Sequence, residues 1–235
     1  MKYTVVLPWI WLPYKDEYMA TAKWPAENLL LVDNTEKNRG IPRSHNMGID
    51  KMYRDGADWL IIQSAALRFG QAGGLDFIDN LEKFGKEGFR VMSAQFVCGW
   101  HMIAFHREVL DKVGRWDENL GPYGPSDDGD LSVRINKAYG KQYNYLCCQI
   151  PVKVRDMGPS HSTQLAGLRV DNTQENIEYF KTKWGGYGTG DAKECDINKL
   201  YDQPFNDPNN SIKYWPKVEG KEPWQGGSFD ERIEL

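Results

Sequence analysis

Leu29-Leu30-Leu31-Val32-Asp33-Asn34 and, further along, Trp59-Leu60-Ile61-Ile62-Gln63-Ser64 are short apolar runs that stop at polar residues. Between them, Asn46 to Asp55 places Ile49, Met52 and Tyr53 on one helical face, with Gly56 as the terminator. Strand, helix and strand in that order predict a parallel pair joined by a crossover helix. Strands of such a sheet are buried on both faces and therefore read as continuous apolar runs, as these do.

The same punctuation continues outward. Tyr3 to Leu7 is apolar and β-branched and stops at Pro8. A helix fits Leu75 to Phe84, where Phe77, Leu81 and Phe84 recur on one face. Strands are expected at Phe89–Met92 and Met102–Phe105, then a short helix at Glu108–Val113. Asp127 to Ala138 reads as a helix with Leu131, Ile135 and Ala138 inward, and Tyr143–Ile150 and Val152–Val154 as strands. Asn172 with Glu175 makes a helix cap, followed by Ile177, Phe180 and Trp184 on an inner face. The alternation predicts an α/β fold, a mostly parallel sheet covered by helices on both sides.

With 235 residues, 40% hydrophobic, 26% charged and 13% aromatic, the chain can bury a substantial core. No apolar run approaches the roughly 18–20 residues that span a bilayer. The N-terminal apolar stretch is broken by Pro8, Pro13 and Asp16, so a first strand is expected there and not a leader peptide. A net charge of -4 argues against a general nucleic-acid coat and against a basic membrane-binding face. The four cysteines form no CxxC pair and the four histidines are scattered, which disfavours zinc and fits reduced thiols in a cytoplasmic protein. The last 51 residues, 185–235, hold seven glycines and four prolines but also Trp215 and Trp224, the composition of an irregular extension wrapped on a domain.

Open α/β sheets bind ligands beyond the carboxyl ends of their strands. Pro8-Trp9, Asp33-Asn34 and Gln63-Ser64 all fall at such ends. Each alone is ordinary turn chemistry; together they mark one edge. Arg39 and Arg43 precede the expected helix at Asn46, whose free N–H groups suit an anion. The acidic run Ser126-Asp127-Asp128-Gly129-Asp130-Leu131 holds more carboxylates than a helix cap requires, which points to a cation or to a base kept for chemistry.

In order and spacing these segments resemble family 2 glycosyltransferases. The likeness runs through Leu31-Val32-Asp33-Asn34, Arg39-Gly40, Asn46-Met47-Gly48-Ile49 and Gly56-Ala57-Asp58-Trp59-Leu60-Ile61-Ile62. It continues through Phe105-His106-Arg107-Glu108-Val109-Leu110, Val113-Gly114-Arg115-Trp116-Asp117-Glu118 and Asp127-Asp128-Gly129-Asp130-Leu131 with Arg134-Ile135. The resemblance spans residues 3–184. It implies a GT-A fold, a Rossmann-like three-layer α/β/α sandwich forming a single domain over 1–184. Residues 1–92 would bind the nucleotide-sugar and 93–184 the acceptor.

Carried onto this chain, the resemblance implies an inverting transferase that uses a nucleotide-sugar, with UDP-sugars the commonest donors, and a glycan or other hydroxyl-bearing acceptor. Asp128 matches the general base and Asp127 a supporting charge. Pro8, Trp9 and Asp33 would flank the base, Arg39, Arg43 and Asn46 the ribose or diphosphate, and Ser64 the position beyond the third strand. Trp100 and His101 are the acceptor-site candidates. The family's Asp-x-Asp, which holds Mn²⁺ or Mg²⁺, is replaced here by Ser64-Ala65-Ala66: either the arginines and His161 take over the diphosphate, or a metal binds weakly through His161 and phosphate oxygens, or the site is crippled. A second reading is a sugar-nucleotide or glycan-binding protein without turnover. A nucleotidyltransferase ranks last, because no glycine-rich basic loop follows the first strand.

Overall fold

The computed structural model describes residues 1–9, 12–35, 39–94, 101–120, 127–139, 145–148, 152–154 and 173–184. In chain order these form β1 (Tyr3–Trp9), α1 (Leu12–Ala22), a 3-10 turn (Ala26–Asn28), β2 (Leu29–Asp33), α2 (Ile41–Arg54), β3 (Trp59–Gln63), β4 (Leu67–Phe69), α3 (Leu75–Lys86) and β5 (Val91–Ala94). They continue with β6 (Met102–His106), α4 (Arg107–Val113), α5 (Asp127–Tyr139), β7 (Tyr145–Cys148), β8 (Val152–Val154) and α6 (Thr173–Trp184). The described residues divide into two compact units, those within 1–36, 47–109 and 144–161 in the first and those within 37–46, 110–143 and 162–184 in the second.

The first unit holds a six-stranded sheet in the order β2-β1-β3-β6-β5-β7. β1 pairs in parallel with both β2 and β3, and β5 with β7. β6 is antiparallel to β3 and to β5, so five strands point one way and β6 runs against them. β4 and β8 form a separate antiparallel pair.

Helices cover both faces of this sheet. Val5, Leu7, Trp59 and Ile61 pack with Tyr18 and Ala22 of α1 and with Phe77 and Leu81 of α3. The alternate residues Val6 and Leu60 face α2, where Gly48 lets the backbone approach; a Cβ there would lie 2.8 Å from Val6 Cβ. Gly56 ends α2 as its sequence predicts. It takes φ +63, donates to the Tyr53 carbonyl, and is followed by Ala57 donating to Met52, the paired bonds of a Schellman cap.

Three elements differ from the sequence reading. α1 was not expected, because Pro13 reads as an interruption. It is the second residue of the helix, where a missing N–H costs nothing. α2 begins at Ile41 and not near Asn46, again with proline as second residue, so Arg43 lies inside the helix and not ahead of it. β4 is only three residues long, below what a periodic pattern can reveal. The expected tail over 185–235 and the cap at Asn172 lie outside the described residues.

Candidate functional site

In the first unit the expected strand-end residues do come together. The register pairs Pro8 with Val32 and Trp9 with Asp33, at the carboxyl ends of neighbouring strands. Asn34 N–H donates to the Trp9 carbonyl at 2.9 Å, and Asp33 Oδ1 accepts the Thr35 N–H at 2.8 Å, so the turn after β2 is tied to β1 and to itself. Ser64 follows β3 directly, and its N–H donates to the His101 carbonyl at 2.8 Å. Because β6 is antiparallel, the chain enters it at the edge where β1, β2 and β3 leave. His101 therefore sits beside Ser64. Burial pushes its imidazole below the usual range, favouring the neutral ring.

Strand order reverses at β1, with β2 on one side and β3 on the other. This is where open α/β sheets form a ligand crevice. Among the described residues, two buried donors at the ends of β1 and β3 have no hydrogen-bond partner: Trp9 Nε1 and Gln63 Nε2. The Gln63 oxygen is taken, accepting from the Tyr18 hydroxyl and, at 3.1 Å, from Trp24 Nε1. The Lys15 ammonium lies 4.5 Å from the Trp9 ring centroid. Lys15 thus brings positive charge to this edge, a setting for carbonyl or phosphate oxygens.

The residues after β3 do not fit a divalent metal. Mg²⁺ and Mn²⁺ favour oxygen ligands, carboxylates and phosphates above all. Ala65 and Ala66 offer no side-chain donor atom, and Ser64 Oγ accepts the Ala66 N–H at 3.2 Å. Among the described residues no group of three or more His, Cys, Asp and Glu side chains is placed to hold a metal ion. Trp100 and His161 lie outside the described residues.

The second unit holds the acidic segment. Asp127 and Asp128 open α5, both partly buried, and Asp128 Oδ1 accepts the Gly129 N–H at 2.7 Å. Burial first, then the charges of Asp128 and Asp130, push the Asp127 carboxyl up to about 8. Asp130 goes the other way. Burial alone would raise it, but Lys183, Arg134 and the Trp184 indole hold it below the usual carboxylate range.

A buried network stands under these carboxylates. Lys183 Nζ lies 2.7 Å from Asp117 Oδ2 and 2.5 Å from Asp130 Oδ1, and Trp184 Nε1 donates to Asp130 Oδ1 at 2.9 Å. Arg134 Nε donates to Asp130 Oδ2 at 2.9 Å, and another guanidinium nitrogen reaches the Val113 carbonyl at 2.6 Å. The Tyr179 hydroxyl donates to Asp117 Oδ2 at 2.8 Å. Sequence reasoning placed Ile177, Phe180 and Trp184 on the inner face of α6 and passed over Lys183. Asn176, Phe180 and Lys183 share a helical face, and all three are buried.

The phosphate-side residues of the sequence reading also fall in this unit. Asn46 is fully engaged within it. Its Nδ2 donates to the Trp116 carbonyl at 3.0 Å and to Glu118 Oε1 at 2.7 Å, and its Oδ1 accepts the Trp116 N–H at 2.9 Å. His45 packs edge-on against the Trp116 ring, 4.9 Å between centroids. Among the described residues its Nδ1 has no hydrogen-bond partner, and burial lowers its imidazole to about 3. Arg43 is buried and Arg39 partly so.

No family model and no curated protein matches this chain. Among solved structures, the crystal structure of A197 from STIV is similar at 13% identity over 49% of this chain and 70% of that one. The TM-score is 0.36, a likeness too low to bear on fold or function.

Proposed function

We propose that this chain is an inverting glycosyltransferase that moves a sugar from a nucleotide-sugar, a UDP-sugar first among candidates, to a hydroxyl-bearing acceptor. The observation that carries the reading is the edge at β1, β2 and β3. Pro8, Trp9, Asp33 and Ser64 fall at the carboxyl ends of these three neighbouring strands, with the Lys15 ammonium against Trp9. Helices on both sheet faces support the finer assignment to a GT-A three-layer sandwich.

In this reading the nucleotide occupies the strand-end edge. Asp127 keeps its proton up to about pH 8, so of the adjacent pair the base role falls to Asp128. Its carboxylate takes the proton of the acceptor hydroxyl while that oxygen attacks the anomeric carbon. The bond to the diphosphate breaks on the opposite side, and the nucleoside diphosphate departs. No step is routed through a metal, since the residues after β3 do not fit one.

The test has two parts. Thermal shift against UDP-, GDP-, dTDP- and CDP-sugars, each with Mn²⁺ and with EDTA, identifies the donor; saturation at a hundredfold excess over Kd adds about 2.7 kcal/mol. Asp128→Asn should then keep the donor shift and lose ~10²–10⁴-fold in transfer. Near-wild-type turnover in that variant refutes the base assignment. The absence of a carboxylate at Ser64-Ala65-Ala66 favours one other reading, a glycan or sugar-nucleotide binder without turnover. It predicts a donor shift with neither transfer nor donor hydrolysis.

A further inference from the structure

Asp117, Asp130, Lys183 and Arg134 are all within 2% of complete burial. Buried ion networks add little stability compared with apolar residues of the same volume, so this one invites a role beyond holding the unit together. Its formal charges, two negative and two positive, cancel. Both oxygens of Asp130 are fixed, one by Lys183 and Trp184 of α6 and the other by Arg134 of α5 itself. Asp130 stands three residues after Asp127, so the two side chains are neighbours on one helical face.

We propose that Lys183 is a positioning residue: by joining Asp130 to Asp117 from α6, it fixes the first turn of α5 and sets the charge beneath the Asp127–Asp128 pair. The inference rests on the glycosyltransferase reading for its consequence in catalysis, but its electrostatic part stands on the network alone. Among the described residues, the charged and titratable groups involved are Asp128, Asp130 and Arg134 on α5, Asp117 on the segment after α4, and Tyr179 and Lys183 on α6. Glu118, also on that segment, is engaged by Asn46. Loss of the Lys183 charge leaves one net negative charge buried one turn from Asp127. Asp127 then holds its proton more tightly, and α5 loses its tie to α6 through the ammonium.

The experiment follows the Asp127 carboxyl by carboxyl-carbon NMR titration in the full chain, together with the pH profile of kcat/KM for transfer. Lys183→Gln should raise the Asp127 midpoint by roughly one pH unit and move the kcat/KM profile with it, at unchanged donor KM. Lys183→Arg, which restores the charge, should return both. An Asp127 midpoint in Lys183→Gln equal to the wild type overturns the inference. If Lys183→Gln does not fold, Asp130→Asn decides: removing that carboxylate's charge should lower the Asp127 midpoint, and an unmoved midpoint overturns the inference equally. A shifted midpoint in a chain that transfers no sugar refutes the glycosyltransferase reading and upholds the role of Lys183. Transfer with an unmoved midpoint does the reverse.

Discussion

Asp127→Asn should make the protein more stable, and only where the pH is high enough for the wild-type carboxyl to matter. In the fold this group titrates at about 8, against 3.8 ordinarily. Between those values the native chain holds a proton that the unfolded chain has released. Its contribution to stability is therefore complete below about 3.8 and falls as pH rises through 8. His45 has the opposite slope. Unfolded it takes a proton near 6.5, but in the fold only near 3, so its contribution is complete above 6.5 and falls as pH drops. His101, partly exposed, adds weakly in the same sense as His45. From about pH 4 to 6.5 the two slopes largely cancel, and wild-type stability should be nearly flat there, declining from 6.5 to 8. Asparagine keeps the helix-start hydrogen bonding and removes the falling slope. A difference of one bound proton is worth about 1.4 kcal/mol per pH unit, so the gain over the wild type reaches about 4 kcal/mol between pH 5 and 8. His45→Phe, which keeps a ring against Trp116, should leave the falling slope exposed from pH 4 to 8. Urea denaturation of the three proteins at pH 5, 6, 7 and 8 measures all of this. An Asp127→Asn curve parallel to the wild type would falsify the reasoning. A carboxylate retained at such cost is what a functional site would keep.

Gly48→Ala should destabilise by about 1–3 kcal/mol in chemical denaturation, although alanine is the better helix former, because its Cβ would meet the stiff Val6 side chain at 2.8 Å. Asn46→Ala deletes three hydrogen bonds to the buried Trp116–Glu118 segment and should cost roughly 2–5 kcal/mol. Loss of donor affinity at unchanged melting temperature would instead place Asn46 on the ligand. His101 should show donor-induced NMR shifts while His106, at the far end of β6 against Trp59, does not; the reverse pattern would move the ligand away from the strand-end edge.

The strands were legible because parallel burial imposes continuous apolar runs. β1, β2 and β3 lie where Tyr3–Leu7, Leu29–Val32 and Trp59–Ile62 put them, extended by a residue or two. Helix starts were harder to read. Proline in a first turn looks like a break, which hid α1 and shortened α2. At the candidate site, the strand-end residues could be read because loops after parallel strands share one edge. The network beneath Asp127 could not, since Asp117, Asp130 and Lys183 are far apart in sequence and no local pattern links a lysine on an apolar helix face to a distant carboxylate. Asp130 stands in the acidic run and Asp117 in a segment of the family resemblance, but nothing in either pattern points to Lys183.

The direction of β6 is the one fact on which the composition of the strand-end edge depends, and no residue pattern in Met102–His106 reveals it. A short apolar run reads the same in either sense, since alternation fixes faces and not polarity. Were β6 parallel to β3, His106 would lie beside Ser64, and the Arg107–Glu108 turn would bring charge to the edge. Because it is antiparallel, that charge goes to the opposite end, where Arg90 pairs with Glu108. The edge receives instead the His101 backbone and a ring held neutral by burial. A neutral imidazole beside two alanines supplies neither a carboxylate for a cation nor a fixed positive charge for a phosphate. Among the described residues, the first unit brings to this edge the ammonium of Lys15 against Trp9. An oxyanion bound there would be met by that lysine, which makes α1, the helix the sequence concealed, a part of the candidate site.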